Sequence, residues 1–206
     1  MSNPLVVLQP GDIGVARGRS WLARAIRECE EYPGDEHTFA NHAFVITGGG
    51  PIGSAVVTEA EWPRVKRWSV IDSYGGNPDY IAIFRRTDIN MTQRMAIADK
   101  ADSYVGERYG TWKLLAHFFD HIGTELTNRK CFWFRDHFCS SDSKPICSWI
   151  DAHAVGVLPE ACSGGFADAA FGVPNDDCQP EDIWTCCINL PNLWQMVLPP
   201  TLIEKA

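Results

Sequence analysis

The chain has no run of about 18 or more apolar residues, so no transmembrane helix is expected. Its start, MSNPLVVLQPGD, lacks the basic opening and long apolar stretch of a secretory signal. The expectation is therefore a protein of a reducing compartment, cytoplasmic or phage-associated. No Lys/Arg-rich patch stands out, and a net charge of −8 with a pI near 5.2 argues against a nucleic-acid partner. The run Gly48-Gly49-Gly50-Pro51 lacks the Lys-Ser/Thr of a phosphate loop and reads as a hairpin turn. No internal repeat, low-complexity tract or linker divides the sequence. What is present is an ordinary globular composition, 45% apolar and 21% charged over 206 residues, enough to bury a core without staples. A single domain over residues 1–206 is expected, loop-rich from about residue 157. Eight cysteines without a signal read as thiols or metal ligands rather than as a disulfide framework.

Leu5–Leu8 is a short apolar run ended by the turn Gln9-Pro10-Gly11-Asp12, and Ile13–Arg17 reads as a strand. Ser20 caps a predicted helix to about Glu31, with Leu22, Ala25, Ile26 and Cys29 on one face. Asn41–Thr47 is a β-rich run, Ser54–Ala60 a second strand, Ser69–Asp72 a third and Tyr80–Arg85 a fourth. Short turns between them predict an antiparallel sheet. After Asn90 the period changes, and Met91, Met95, Ala98, Ala101 and Val105 mark an amphipathic helix stopped by Gly106. Another helix, capped by Thr111, carries Leu115, Phe118, Phe119, Ile122 and Leu126, and the aromatic loop Asn128–Asp142 follows. Strands first and helices second indicate an α+β fold.

A third helix is predicted after Asp142 and Ser143, which suit an N-cap, with Pro145 in its first turn. Ile146, Trp149 and Ile150 recur at helical spacing until Gly156 supplies a stop. Cys147 then falls in the first turn, where unpaired N–H groups and the helix dipole favour an anion and lower a thiol's pKa. One thiol on a helix is more simply a small buried residue. Two residues elsewhere weigh against that reading. A cysteine nucleophile needs a base and a third group to orient the base. His42 opens a strand at the end of the apolar row Phe44, Ile46, and Glu59 lies on the next strand, where hairpin pairing would bring it beside His42.

In order, the chain reads Pro10-Gly11-Asp12-Ile13, a His-initiated strand (NHAFVI), a strand ending in an acid and Ala (Thr58-Glu59-Ala60), and a helix opening with Cys147-Ser148. This order resembles the circularly permuted papain-like cysteine hydrolases of the NlpC-type cell-wall peptidase superfamily, relatives of the lecithin:retinol acyltransferase group. In unpermuted members the cysteine helix precedes the Pro-Gly-Asp turn; here it follows. The resemblance runs over residues 9–155 as spaced motifs, and Gln179–Trp184 is similar to the Pro-x-Asp segment that closes the permuted domain. It implies an antiparallel sheet packed against helices, with the nucleophile at a helix N-terminus. Cys147 matches the nucleophile, His42 the base and Glu59 the orienting position. Tyr109 resembles a pocket tyrosine, and Ser148 takes the substrate-binding place beside the nucleophile. Permuted members often read Tyr-Cys-Ser-Glu where this chain has Ile146-Cys147-Ser148-Trp149. The implied activity is a thiol hydrolase or acyltransferase cleaving an amide or ester bond. Its substrate would be a small molecule, a peptidoglycan peptide or a lipid conjugate, and neither cofactor nor metal is needed.

Two other readings compete. His117 and His121 stand at i, i+4, the spacing of paired zinc ligands, and Cys131, His137 and Cys139 follow, although no spacing fits a known finger and there is no His-Glu-x-x-His. The second is a papain-like module without turnover, serving as a binding or structural part.

Overall fold

The structure is a computed structural model that describes residues 6–18, 39–77, 79–110, 146–158, 168–176 and 178–205. Its strands are β1 (Val7–Leu8), β2 (Ile13–Arg17), β3 (His42–Gly48), β4 (Gly50–Pro51), β5 (Val56–Glu61), β6 (Arg64–Ser69), β7 (Tyr80–Arg86) and β8 (Trp194–Leu202). The helices are α1 (Val70–Tyr74), α2 (Met91–Asp102), α3 (Cys147–Val155) and α4 (Pro180–Asn189). Among the described residues six strands form one sheet in the order β6-β5-β3-β2-β7-β8, every pair antiparallel, and β1 pairs with β4 separately. The α+β class with an antiparallel sheet packed against a few helices is therefore observed.

Strand alternation decides what each face of the sheet carries. Ile13, Val15, Ala43, Val45, Ala82 and Phe84 pack with residues of α2, α3 and α4 in one core. The intervening Ala16, Phe44, Ile46, Val57, Ile81 and Ile83 pack in a second core with Val70 and Tyr74 of α1. Gly14 sits on the second face opposite Phe44, whose ring occupies the space of an added side chain: a Cβ there would lie 2.1 Å from ring carbon Cε2. Gly14→Ala is expected to cost about 1–3 kcal/mol by overpacking, read as a lowered urea midpoint with an unchanged slope.

The turn before β2 ties the layers together. Gly11, at φ +77°, donates its N–H to the Ile46 carbonyl at 2.8 Å, and the Ile46 N–H returns to the Asp12 carbonyl at 2.8 Å. The Asp12 carboxylate is fully buried and accepts from Arg85 Nε at 2.8 Å, Arg85 Nη2 at 2.7 Å and the Gln9 N–H at 2.8 Å, with Arg94 Nη1 3.4 Å away. Arg94 also donates to the Arg86 carbonyl. This network corrects the expected stripe of α2. Met91, Met95 and Val105 are exposed, whereas Arg94, Ile97, Ala98 and Ala101 face inward. Asn90 and Gln93 close a reciprocal capping box at the helix start.

Other boundaries move as well. Ser69–Asp72 is not a strand: Ser69 ends β6 and caps α1, its Oγ accepting the Asp72 N–H at 3.0 Å. Gly50–Pro51 is the short strand β4 against β1 rather than only a turn. The region beyond residue 157 holds α4 and the edge strand β8, so it is more regular than expected. The outer strands differ in chemistry. β6 carries Arg64, Lys66 and Arg67 and is met at one end by an Arg64–Arg108 bridge, while β8 contains Pro199 and Pro200. The predicted helices from Ser20 and Thr111, with Cys29, His117, His121, Cys131, His137, Cys139 and Cys162, lie outside the described residues. No helix among the described residues is long and apolar enough to cross a membrane.

Candidate active site

β3 and β5 are paired at Val45–Thr58, Ile46–Val57 and Gly48–Val56, and His42 and Glu59 lie beyond the Val45–Thr58 pair toward one end of the sheet. Both belong to the face that carries Phe44 and Val57, as alternation requires. There Nε2 of His42 lies 2.8 Å from Oε2 of Glu59. A carboxylate only accepts, so Nε2 carries the hydrogen and Nδ1 is the nitrogen left for another partner. Glu59 is 5% exposed and is further held by Ser73 Oγ, donating to Oε1 at 2.7 Å, and Tyr74 Oη, donating to Oε2 at 2.7 Å.

The partner on the other side of the imidazole comes from the opposite layer. α3 packs against β3 and β5, and its first residue is Cys147, with Ile146 at the N-cap and no side-chain cap. The helix thus starts at the thiol itself, and the expected capping residues Asp142 and Ser143 lie outside the described residues. Cys147 and His42 are close enough for each to shift the other's proton affinity, and the backbone of Ala43 and of Ser148 favours the ionised sulfur. His42 keeps a side-chain exposure of 23%, so the pair sits at the edge of the core rather than sealed within it.

The charges agree with the contacts. Burial raises the Cys147 thiol, but the charge and hydrogen bond of His42, with the Ala43 and Ser148 backbone, outweigh it and bring the thiol below its ordinary value. Burial works against a charged His42, yet Cys147 and Glu59 outweigh it, and the imidazole holds its proton well above the usual histidine range. Burial opposes ionisation of Glu59, and His42, Tyr74 and Ser73 overcome it, leaving the carboxyl below its ordinary value. Tyr74 is pushed well up by burial and then by Glu59, so it stays a donor. The other described thiols behave oppositely: burial pushes Cys178, Cys186 and Cys187 up.

Cys147, His42 and Glu59 are therefore brought together. Ser148 is buried beside Cys147, but its hydroxyl donates to the Cys178 carbonyl at 2.5 Å, so its influence on the thiol comes from its backbone. Tyr109 is half-buried against the core that also holds Cys147, and its N–H donates to the Pro63 carbonyl at 3.0 Å. Trp149 is buried, donating Nε1–H to Asp176 Oδ1 at 2.7 Å and meeting Tyr104 edge-on at 5.1 Å. Three participants escaped the sequence reading. Ser73 and Tyr74 were hidden by reading a strand where Ser69-x-x-Asp72 followed by Gly75-Gly76 signals a capped helix and its stop. Asp151, four residues after Cys147 and thus on the same helix face, is fully buried. Among the described residues no group of three or more His, Cys, Asp or Glu is arranged to hold a metal ion.

The fold and site define an α+β protein with a cysteine, a histidine and a glutamate in line at a sheet end. No family model and no curated protein matches the chain. A solved structure, the metalloprotein YiiX from Escherichia coli O157:H7 (DUF1105), is similar at 17% identity and a TM-score of 0.40, over 60% of this chain and 68% of that one. A superposition that loose carries no inference on fold, metal or function.

Proposed function

We propose that the chain is a thiol hydrolase or acyltransferase of permuted papain-like architecture, acting on an amide or ester bond through an acyl-enzyme on Cys147. The observation that carries this reading is the line Cys147–His42–Glu59, drawn from two layers of the fold, with the thiol lowered and the imidazole raised. The Cys147 thiolate attacks the carbonyl carbon, and the first-turn N–H groups of α3 receive the oxyanion; such a donor is typically worth about 3 kcal/mol. His42 delivers its proton to the departing amine or alcohol. It then takes a proton from water, or from another acceptor, which cleaves the thioester and restores the thiolate. Glu59 keeps Nε2–H engaged throughout, with Ser73 and Tyr74 fixing the carboxylate. The resemblance to the NlpC-type and lecithin:retinol acyltransferase proteins supports a peptidoglycan peptide or lipid conjugate as substrate, and a cytoplasmic or phage-associated setting.

Thiol-reactivity profiling tests this directly. At pH 7 Cys147 is expected to react with iodoacetamide about a hundredfold faster than Cys186, since each pKa unit changes the thiolate fraction about tenfold. Cys186 is the better exposed of the two, so accessibility alone gives the reverse order. Cys147→Ala should remove the fast labelling with the fold intact. Equal rates at the two thiols would remove the basis for an enzyme and leave a binding module.

A further inference from the structure

Asp151 lies one helical turn beneath Cys147 on α3, a residue with no exposed surface, and neither carboxyl oxygen has a hydrogen-bond partner. A carboxylate in that setting has lost its water and gained nothing in return, a cost the group avoids by keeping its proton. We propose that Asp151 is a positioning residue of the Cys147–His42 pair: a buried neutral carboxylic acid that keeps a further anion away from the sulfur, and whose ionisation ends the range in which thiolate and imidazolium coexist. The proposal rests on the thiol-enzyme reading for its role, though not for the state of the carboxyl.

The surroundings specify the effect. The titratable groups that act on Asp151 through charge, or on which it acts, are Cys147 on its own helix, His42 from β3, Glu59 from β5, Tyr74 from α1, Cys178 before α4 and Cys187 on α4. The turn after α2 meets the same helix through the Tyr104 ring against Trp149. Burial is the main reason the carboxyl holds its proton far above the ordinary range; the Cys147 charge adds to it and outweighs the opposing pull of His42. The coupling is reciprocal. An ionised Asp151 repels the thiolate more than it attracts the imidazolium, and drives the shared proton back onto sulfur. The buried neutral acid also lowers stability as pH rises, because the folded state binds a proton there that the unfolded chain releases above a pH of about 4.

The test compares the full chain with its Asp151→Asn variant, which keeps the shape and removes the titration. Folding is read by urea unfolding, and Cys147 alkylation by iodoacetamide, from pH 5 to 9. The variant is expected to be the more stable protein, its advantage in folding constant widening about tenfold per pH unit until Asp151 itself ionises. The acid midpoint of alkylation should stay within about 0.3 pH unit of the parent, since residue 151 carries no charge there in either protein. A stability gap that does not change with pH would overturn the proposal. So would a fall of a full unit in the alkylation midpoint, because it would show that the parent carboxyl was already charged. Should the variant fail to fold, the carbonyl stretch of a protonated acid in the infrared spectrum of the parent at pH 7, and its loss on titration in step with declining stability, decides the matter; no such band refutes it. Slow labelling of Cys147 alongside a widening gap would instead overturn the enzyme reading, and with it the role given to Asp151.

Discussion

His42→Ala is expected to slow alkylation of Cys147 at pH 7 by about a hundredfold. The thiol is buried, and burial by itself raises its pKa; the lowering comes first from the charge and hydrogen bond of His42 and only then from the Ala43 and Ser148 backbone. Without the imidazole the larger lowering influence is gone, while the desolvation stays. The thiol then titrates above its ordinary value instead of below, and the rate at neutral pH follows the lost thiolate. On a substrate of the proposed hydrolase the loss should be greater still, because in that reading His42 is also the acid that protonates the leaving group, a contribution of about 10²–10⁴. The pH profile gives the check. In the parent, labelling rises as pH climbs through the lowered Cys147 pKa; in the variant the rise moves to alkaline pH. A variant that labels at the parental rate across that range would show that the histidine is not what activates the sulfur.

Asp12→Ala is expected to destabilise the fold by about 3–5 kcal/mol, measured by urea unfolding. The carboxylate is fully buried and answers Arg85, Arg94 and the Gln9 N–H together. Arg94 is 6% exposed, so truncating Asp12 leaves a guanidinium inside the protein with its nearest anion removed. The energy lost is chiefly that unpaired charge rather than the worth of the ion pair. Arg85, with a side-chain exposure of 18%, can turn toward water more easily. The damage should reach β2, β7 and α2 together, since the network joins all three.

What could be read from the sequence was what local chemistry dictates. His42 stood at the head of a period-two row, and the structure puts Phe44 and Ile46 on one face as that row requires. Gly156 does end α3, at the C-cap. Glu59 met His42 because hairpin-connected strands bring neighbours in sequence within reach. The residues that misled were those decided by distant partners. Arg94 faces inward because Asp12, 82 residues earlier, awaits it, and no helical period shows that. Tyr74 turns toward Glu59 from a five-residue helix whose apolar start, Val70-Ile71, has the look of a strand. α3 opens at Cys147 itself, with buried Ile146 at its cap, because the first turn is packed into the core.

The two borders of the sheet bear on how a substrate of the proposed thiol hydrolase would arrive. Pro199 and Pro200 have no N–H and so interrupt β8 as a hydrogen-bonding edge, and β6 presents Arg64, Lys66 and Arg67 where residues 106–109 already cover part of its rim. Among the described residues neither border suits a seventh strand, so an extended peptide gains little by lying down alongside the lattice of main-chain bonds. On the proposed hydrolase reading, a substrate would instead come end-on, to the place where β3 opens at His42 and α3 opens at Cys147.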